Sequence, residues 1–199
     1  MYQIDFKKPV HIYFVGIGGI SMSGLAEVLY KEGFTVSGSD RQESSLTKSL
    51  EDKGIRVLYG QKTENITPDI DCAVFTSAIR PDNPEYIAVQ NLHIPYLSRA
   101  QLLGQMMKNY RTSIAISGTH GKTTTTSMVS EILLRAELDP TLSIGGILKS
   151  IGGNIRVGQS EYFVTEACEY TNSFLHFHPK YSIITSVEAE HLDFFKDID

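Results

Sequence analysis

Seven consecutive residues carry the strongest chemical signal in the sequence: Gly118-Thr119-His120-Gly121-Lys122-Thr123-Thr124. Glycines let backbone N–H groups close round an anion, a lysine ammonium reaches the terminal phosphate oxygens, and the hydroxyl that follows can ligate Mg2+. The run therefore reads as a short P-loop for ATP. It departs from the commoner GxxxxGK[ST] pattern because Ile116 stands five places before Gly121, so G-protein and motor ATPases fit poorly. A plain Gly/Thr turn with a solvated lysine is the competing reading. Gly-Lys-Thr after an apolar run argues against it. His120 either touches a phosphate or packs beside the loop.

A second glycine cluster lies near the start: Gly16-Ile17-Gly18-Gly19-Ile20-Ser21-Met22-Ser23-Gly24. It follows an apolar run and opens a helical one, the place where backbone amides and a helix N-terminus meet a pyrophosphate. Asp40 ends the next apolar run, where a dinucleotide fold puts its ribose contact. The spacing is not the dehydrogenase GxGxxG, since residue 21 is Ser and the next Gly comes at 24. Glycine patterns alone are weak, and a bare structural turn is the alternative. Strand, loop, helix and Asp40 falling in order favour the binding site.

Two further candidates follow the P-loop. Glu166 ends the run Tyr162–Glu166, and His191 follows the run Ser182–Val187. A carboxylate at a strand end is commonly a solvated group, and a lone histidine is commonly structural. Downstream of a P-loop in one parallel sheet, both become candidate Mg2+ ligands or water holders. Glu169, Glu188 and Glu190 read as supporting or surface groups, and Tyr170, Phe174 and Phe177 as core.

The elements that must position these residues alternate β-rich and helical runs, as in a parallel α/β sheet. Strands are expected at Val10–Val15, Thr35–Ser39, Ile55–Leu58, Cys72–Thr76 and Ile94–Leu97, with helices over Ser21–Glu32 and Ser45–Lys53. These fill residues 1–107, a Rossmann-like domain. After the polar junction 108–111 the logic restarts, with strands at Thr112–Ser117, Leu142–Ile144, Tyr162–Glu166 and Ser182–Val187 and a helix over Lys122–Ala136. Residues 111–199 then form part of a P-loop ATPase α/β domain. No repeat of fixed period links the halves.

Composition narrows the classes. The 199 residues are 41% hydrophobic and 21% charged, enough for a packed core and unlike a disordered tail. Cys72 and Cys168 are far apart and outside CxxC spacing, which argues against a disulfide scaffold or structural zinc. The net charge of −5 without a Lys/Arg run argues against nucleic acid. The uncharged stretch 9–26 contains His11, serines and four glycines and has no continuous apolar segment. No targeting or membrane segment is read from it, and a cytoplasmic protein with reduced thiols is expected.

Taken together, the residues strongly resemble the Mur ligase family. The matching runs are 13–24, Gly38-Ser39-Asp40, Ser77-Ala78-Ile79, Gly118 to Thr125, and Glu166-Ala-Cys-Glu169 with Ser173-Phe174-Leu175. The glycine loop points to the branch that joins L-alanine to UDP-N-acetylmuramate in peptidoglycan synthesis. That resemblance implies binding of the UDP-sugar by Gly16, Gly18, Gly19, Ile20, Ser21, Met22 and Ser23, with Ser39, Asp40, Ser77 and Ala78 near ribose and uracil. It implies ATP on Gly118 to Thr124, Lys122 on the transferred phosphate, one Mg2+ on Thr123 and Glu166, and a second on Glu166 and His191. Lys122, Glu166 and His191 are thus the expected catalytic residues, and UDP-N-acetylmuramate, L-alanine and ATP the expected partners.

Two stretches depart from the family. Its EADESD reads Glu166-Ala-Cys168-Glu169-Tyr170-Thr171 here, and its TN-x-E-x-DH reads Thr185-Ser186-Val187-Glu188-Ala189-Glu190-His191. Family members run to more than twice this length. The chain is therefore expected to be an N-terminal fragment with a complete first domain, able to bind the UDP-sugar and inactive in ligation. The alternatives are the ligase that recycles murein tripeptide, a non-catalytic nucleotide-binding module, and an NAD-linked dehydrogenase that the glycine spacing disfavours.

Overall fold

A computed structural model describes residues 2–76, 78–168 and 170–188. The chain divides into two compact units, Met1–Leu102 and Leu103–Asp199.

In the first unit the order is β1 (His11–Val15), α1 (Ile20–Lys31), β2 (Thr35–Asp40), α2 (Ser45–Asp52), β3 (Arg56–Tyr59), β4 (Cys72–Phe75), α3 (Pro84–Asn91) and β5 (Tyr96–Ser98). Helix α4 (Arg99–Met107) follows. The sheet runs β3-β2-β1-β4-β5 and every pair is parallel. Val15 lies beside Ser39 and Phe75, and Phe75 beside Ser98, so four strands finish at one edge. Chain order reverses between β1 and β4, which opens a crevice outside their carboxyl ends. The loops after both strands border that crevice.

Helix α1 forms because Met22, Leu25, Ala26 and Leu29 recur at helical spacing and are all buried. Each large apolar side chain so buried contributes roughly 1.5–3 kcal/mol. The opposite face of the sheet packs Tyr13, Val15 and Phe75 against Ile66, Ile70, Ala88 and Val89. Helix α3 was not expected from periodicity, because its eight residues show no apolar stripe. Its start is set chemically instead: the Asn83 side chain accepts from the amides of Glu85 and Tyr86, and Pro84 opens the helix.

The second unit contains β6 (Thr112–Ser117), α5 (Lys122–Arg135), β7 (Thr141–Leu148), β8 (Gly153–Arg156), β9 (Tyr162–Glu166) and β10 (Tyr181–Ile184). Its order is β10-β6-β9-β7-β8. Parallel pairing holds except between β7 and β8, an antiparallel hairpin with a register shift between Ser143 and Leu148. The short run Gly153–Arg156 has no strand signature of its own and is held by β7. Ile116, Leu142, Ile144 and Val164 form the core under α5, whose Val129, Leu133 and Leu134 pack onto it. Among the described residues no helix is long and apolar enough to cross a membrane.

Candidate functional site

The first loop is built by β1 handing its chain to α1 at the sheet's carboxyl edge. Gly16 has φ +82°, a conformation that favours glycine, and the amides of Gly16 and Ile17 both donate to the Ser39 carbonyl at 2.8 and 2.9 Å. Gly18 donates its amide to Asp40 Oδ2 at 2.8 Å, while Asp40 Oδ1 takes the Arg41 amide at 2.8 Å. Asp40 therefore staples the loop from the end of β2. The Gly18 amide is thereby taken, and the amides still open lie at the first turn of α1.

That turn is open. Gly19 caps α1 without any side-chain hydrogen bond, and no acidic residue stands in the turn. The amides of Ile20, Ser21 and Met22 are those a helix start leaves without an intrahelical partner, and they carry its partial positive charge. Ile20 projects outward, whereas the side chains of Met22 and Ser23 are buried. The Ser23 hydroxyl donates to the Ile20 carbonyl at 3.0 Å and its amide to the Gly19 carbonyl at 2.8 Å, so Met22 can serve a ligand only through its amide and neither donor of Ser23 is open. Ser39 is likewise buried. Ala78 is exposed in the loop after β4, and Ser77 lies outside the described residues.

Beneath this edge is a polar knot that residue spacing did not reveal. Glu85 is buried and accepts from the Tyr13 hydroxyl (3.0 Å), the Ser39 hydroxyl (2.5 Å) and Asn65 Nδ2 (2.6 Å). Burial raises the Glu85 pKa above the usual carboxylate value, against the lowering effect of its donors, and burial likewise raises that of Tyr13. Ser39 joins the two layers, since its carbonyl holds the glycine loop and its hydroxyl holds Glu85.

In the second unit Gly118 has φ +129° and Gly121 caps α5 in the left-handed conformation. The loop is braced from β10: the Thr119 amide donates to the Ser186 carbonyl and the His120 amide to Ser186 Oγ, each at 3.0 Å. The Thr185 hydroxyl lies 3.1 Å from the Ser117 carbonyl and 2.5 Å from that of His120. His120 Nε2 lies 3.7 Å from the Glu188 carboxylate. Thr185 and Ser186 thus shape the phosphate loop, a role visible only once β10 is paired with β6.

Lys122 folds back, its ammonium donating to the carbonyls of Gly118 (2.6 Å) and Thr119 (3.1 Å). Thr123 and Thr124 are exposed at the first turn of α5. The Thr123 hydroxyl donates to Glu166 Oε2 at 3.2 Å, and Glu166 Oε1 accepts the Gly145 amide at 2.7 Å. A hydroxyl and a carboxylate are hard oxygen donors of the kind Mg2+ takes, so the pair expected to hold a metal does meet. Gly145 escaped the sequence reading, although two adjacent glycines inside a strand mark a close approach. No group of three or more His, Cys, Asp or Glu converges among the described residues, and His191 lies outside them.

Known proteins share both units. A relative from Agathobacter rectalis, a UDP-N-acetylmuramate–L-alanine ligase, is 68% identical over all of this chain, which covers 43% of that protein. One of the same name from Lachnoclostridium phytofermentans is 60% identical, with 42% of its length covered. The solved UDP-N-acetylmuramate–alanine ligase of Thermotoga maritima superposes with a TM-score of 0.80 at 35% identity, over 92% of this chain and 43% of that one. A UDP-N-acetylmuramate:L-alanyl-gamma-D-glutamyl-meso-diaminopimelate ligase from Neisseria meningitides gives 0.82 at 31% identity, over 96% and 64%. The chain thus spans less than half the length of the curated relatives it matches. The description of the Mur ligase family's catalytic domain matches residues 11–111 and that of its middle domain residues 116–199. With both phosphate loops inside those matches, the chain belongs to the Mur ligase family.

Proposed function

We propose that the first unit binds the uridine diphosphate of UDP-N-acetylmuramate, that the second binds MgATP, and that the whole protein joins L-alanine to the sugar's lactyl carboxylate. The contact of Thr123 with Glu166 at the head of α5, next in sequence to Lys122, carries this reading, because it sets an oxygen-ligand pair beside the glycine loop that the lysine spans. Alanine-adding relatives reach 68% identity and their solved member 35%, against 31% for the tripeptide ligase, which favours alanine as the incoming amine.

In this reading the lactyl carboxylate attacks the γ-phosphorus of ATP in line, giving an acyl phosphate and ADP; the alanine amine then displaces phosphate. The Lys122 ammonium leaves the loop carbonyls for the γ-phosphate oxygens, where charge spreads in the transition state. The first-turn amides of α5 hold the β-phosphate. Thr123 and Glu166 would hold Mg2+, which neutralises and orients the phosphates when bound. His191 is proposed as a ligand of a second Mg2+ with Glu166. Asp40 and the 77–78 loop orient ribose and uracil.

Binding titrations on the 199-residue chain test the assignment of the halves. Wild type should take up UDP-N-acetylmuramate and release no alanine-dependent phosphate. Lys122→Ala should lose ATP and keep the UDP-sugar. A variant that weakens both ligands alike overturns the division of labour.

A further inference from the structure

Glu85 is fully buried in the first turn of α3. Its partners are two hydroxyls, an amide side chain and the backbone of Lys62. Burying a carboxylate is costly, and neutral donors offset the cost only where they converge with good geometry. The segments that supply these donors all border the glycine loop. The Ser39 hydroxyl donates to Oε2 at 2.5 Å, while the Ser39 carbonyl accepts from the amides of Gly16 and Ile17. Asn65 donates from Nδ2 both to Glu85 Oε1, at 2.6 Å, and to the Gly60 carbonyl, at 2.9 Å. Gly60 in turn donates its amide to the Asp40 carbonyl at 2.8 Å, and the Asp40 carboxylate holds the Gly18 amide.

Glu85 therefore grips Ser39 directly and Asp40 through one relay, and those two residues together hold the amides of Gly16, Ile17 and Gly18. The Tyr13 hydroxyl ties the same carboxylate to β1, the strand that launches the loop. A loop so rich in glycine has much conformational freedom to lose. Fixing it before a ligand arrives moves that cost from binding to folding, which is how a remote brace raises affinity. Because the brace takes the amides of Gly16 to Gly18, it also sets the direction in which the first turn of α1 leaves the loop.

We propose that Glu85 is a positioning residue for the sugar-nucleotide site: without touching ligand, it sets the glycine loop through Ser39 and through the relay Asn65–Gly60–Asp40. This rests on the reading that the first unit takes a uridine diphosphate sugar. It makes the first turn of α3, on the far side of the sheet from α1, part of what orders that site.

The test uses the 199-residue chain as wild type, Glu85→Ala, Glu85→Gln, Ser39→Ala and Asn65→Ala, read by amide exchange without ligand and by calorimetric titration with UDP. Glu85→Ala should quicken exchange of the Gly16, Ile17 and Gly18 amides about tenfold while the Phe14 amide of β1 stays near wild type. Its affinity for UDP should fall roughly five- to tenfold, the scale on which a remote residue shifts a binding equilibrium. Glu85→Gln should restore binding to about wild type: its carbonyl keeps Tyr13 and Asn65, and the Ser39 hydroxyl turns to accept from Nε2. Since Ser39 and Glu85 act through one bond, combining Ser39→Ala with Glu85→Ala should cost less than the sum of the two. The inference is overturned if Glu85→Ala binds UDP as wild type does, if Glu85→Gln gives no rescue, or if loop and β1 amides quicken alike, as a merely structural role requires. Should Glu85→Ala fail to fold, Ser39→Ala and Asn65→Ala each cut one arm and carry the same comparison of loop with β1 amides. A wild-type chain that takes no UDP overturns the parent reading, while the ligand-free exchange pattern still decides the role of Glu85.

Discussion

Replacing Gly145 by alanine adds one methyl group at the point where β7 passes Glu166. The new Cβ would lie 2.9 Å from Glu166 Cδ and Oε1, and closer still to Oε2, inside the distance real Cβ atoms keep. Gly145 is not among the residues of positive φ, so the backbone accepts alanine and the carboxylate must yield. Its move breaks the bond from the Gly145 amide at 2.7 Å and pulls it from the Thr123 hydroxyl at 3.2 Å. A hydrogen bond to a charged group contributes about 1.5–3 kcal/mol; exposure here puts the loss at the lower end, roughly tenfold in affinity. Calorimetry of ATP binding with and without Mg2+ should show the Mg2+-dependent part of the affinity falling by that factor, with the melting temperature nearly unchanged. Gly153→Ala is the control, since its Cβ meets nothing nearer than the Ile155 carbonyl at 4.0 Å. A folded Gly145→Ala chain whose Mg2+ dependence equals that of the control would refute the assignment of Glu166 to the metal.

Two other outcomes follow from the same geometry. Gly118→Ala imposes a side chain at φ +129° and drives Cβ to 2.9 Å from the Ser186 amide and nearer to Thr185 Oγ1; it should abolish ATP binding and cut protection of the Thr119 amide in hydrogen exchange. Burial raises the folded-state pKa of Glu85, so its contribution is complete below the ordinary carboxylate pKa and is lost as pH rises through the raised value. The stability of wild type relative to Glu85→Gln should therefore decline over that interval in chemical denaturation, and a pH-independent difference would contradict the cause given for the shift.

The two glycine loops are legible in the sequence because glycine, lysine and threonine stand out by type, and an apolar run before each loop locates a strand. The same holds for α1, whose buried positions recur at helical spacing. Features assembled through space are not legible in this way. Glu85 reads as an ordinary first-turn acid of a polar helix until Tyr13, Ser39 and Asn65 surround it. Ser186 draws notice in the sequence only as a departure from the family pattern, and Thr185 only as the residue before it. Their grip on the P-loop depends on the pairing of β10 with β6, which places Ile184 beside Ser117. The β7–β8 hairpin was hidden for a related reason, since Gly153-Asn154-Ile155-Arg156, with one large apolar residue, becomes a strand only against a partner.

The folded-back ammonium of Lys122 also bears on which anions can stay. Its charge is already answered by two carbonyl dipoles, so a newcomer must offer more than those carbonyls before the side chain will swing away. Free orthophosphate, with one phosphorus and no tether, has little to exchange. On the proposed reading, a triphosphate held along its length by the head of α5 recruits the lysine as its last contact, so chain length, more than charge alone, would set admission to that loop.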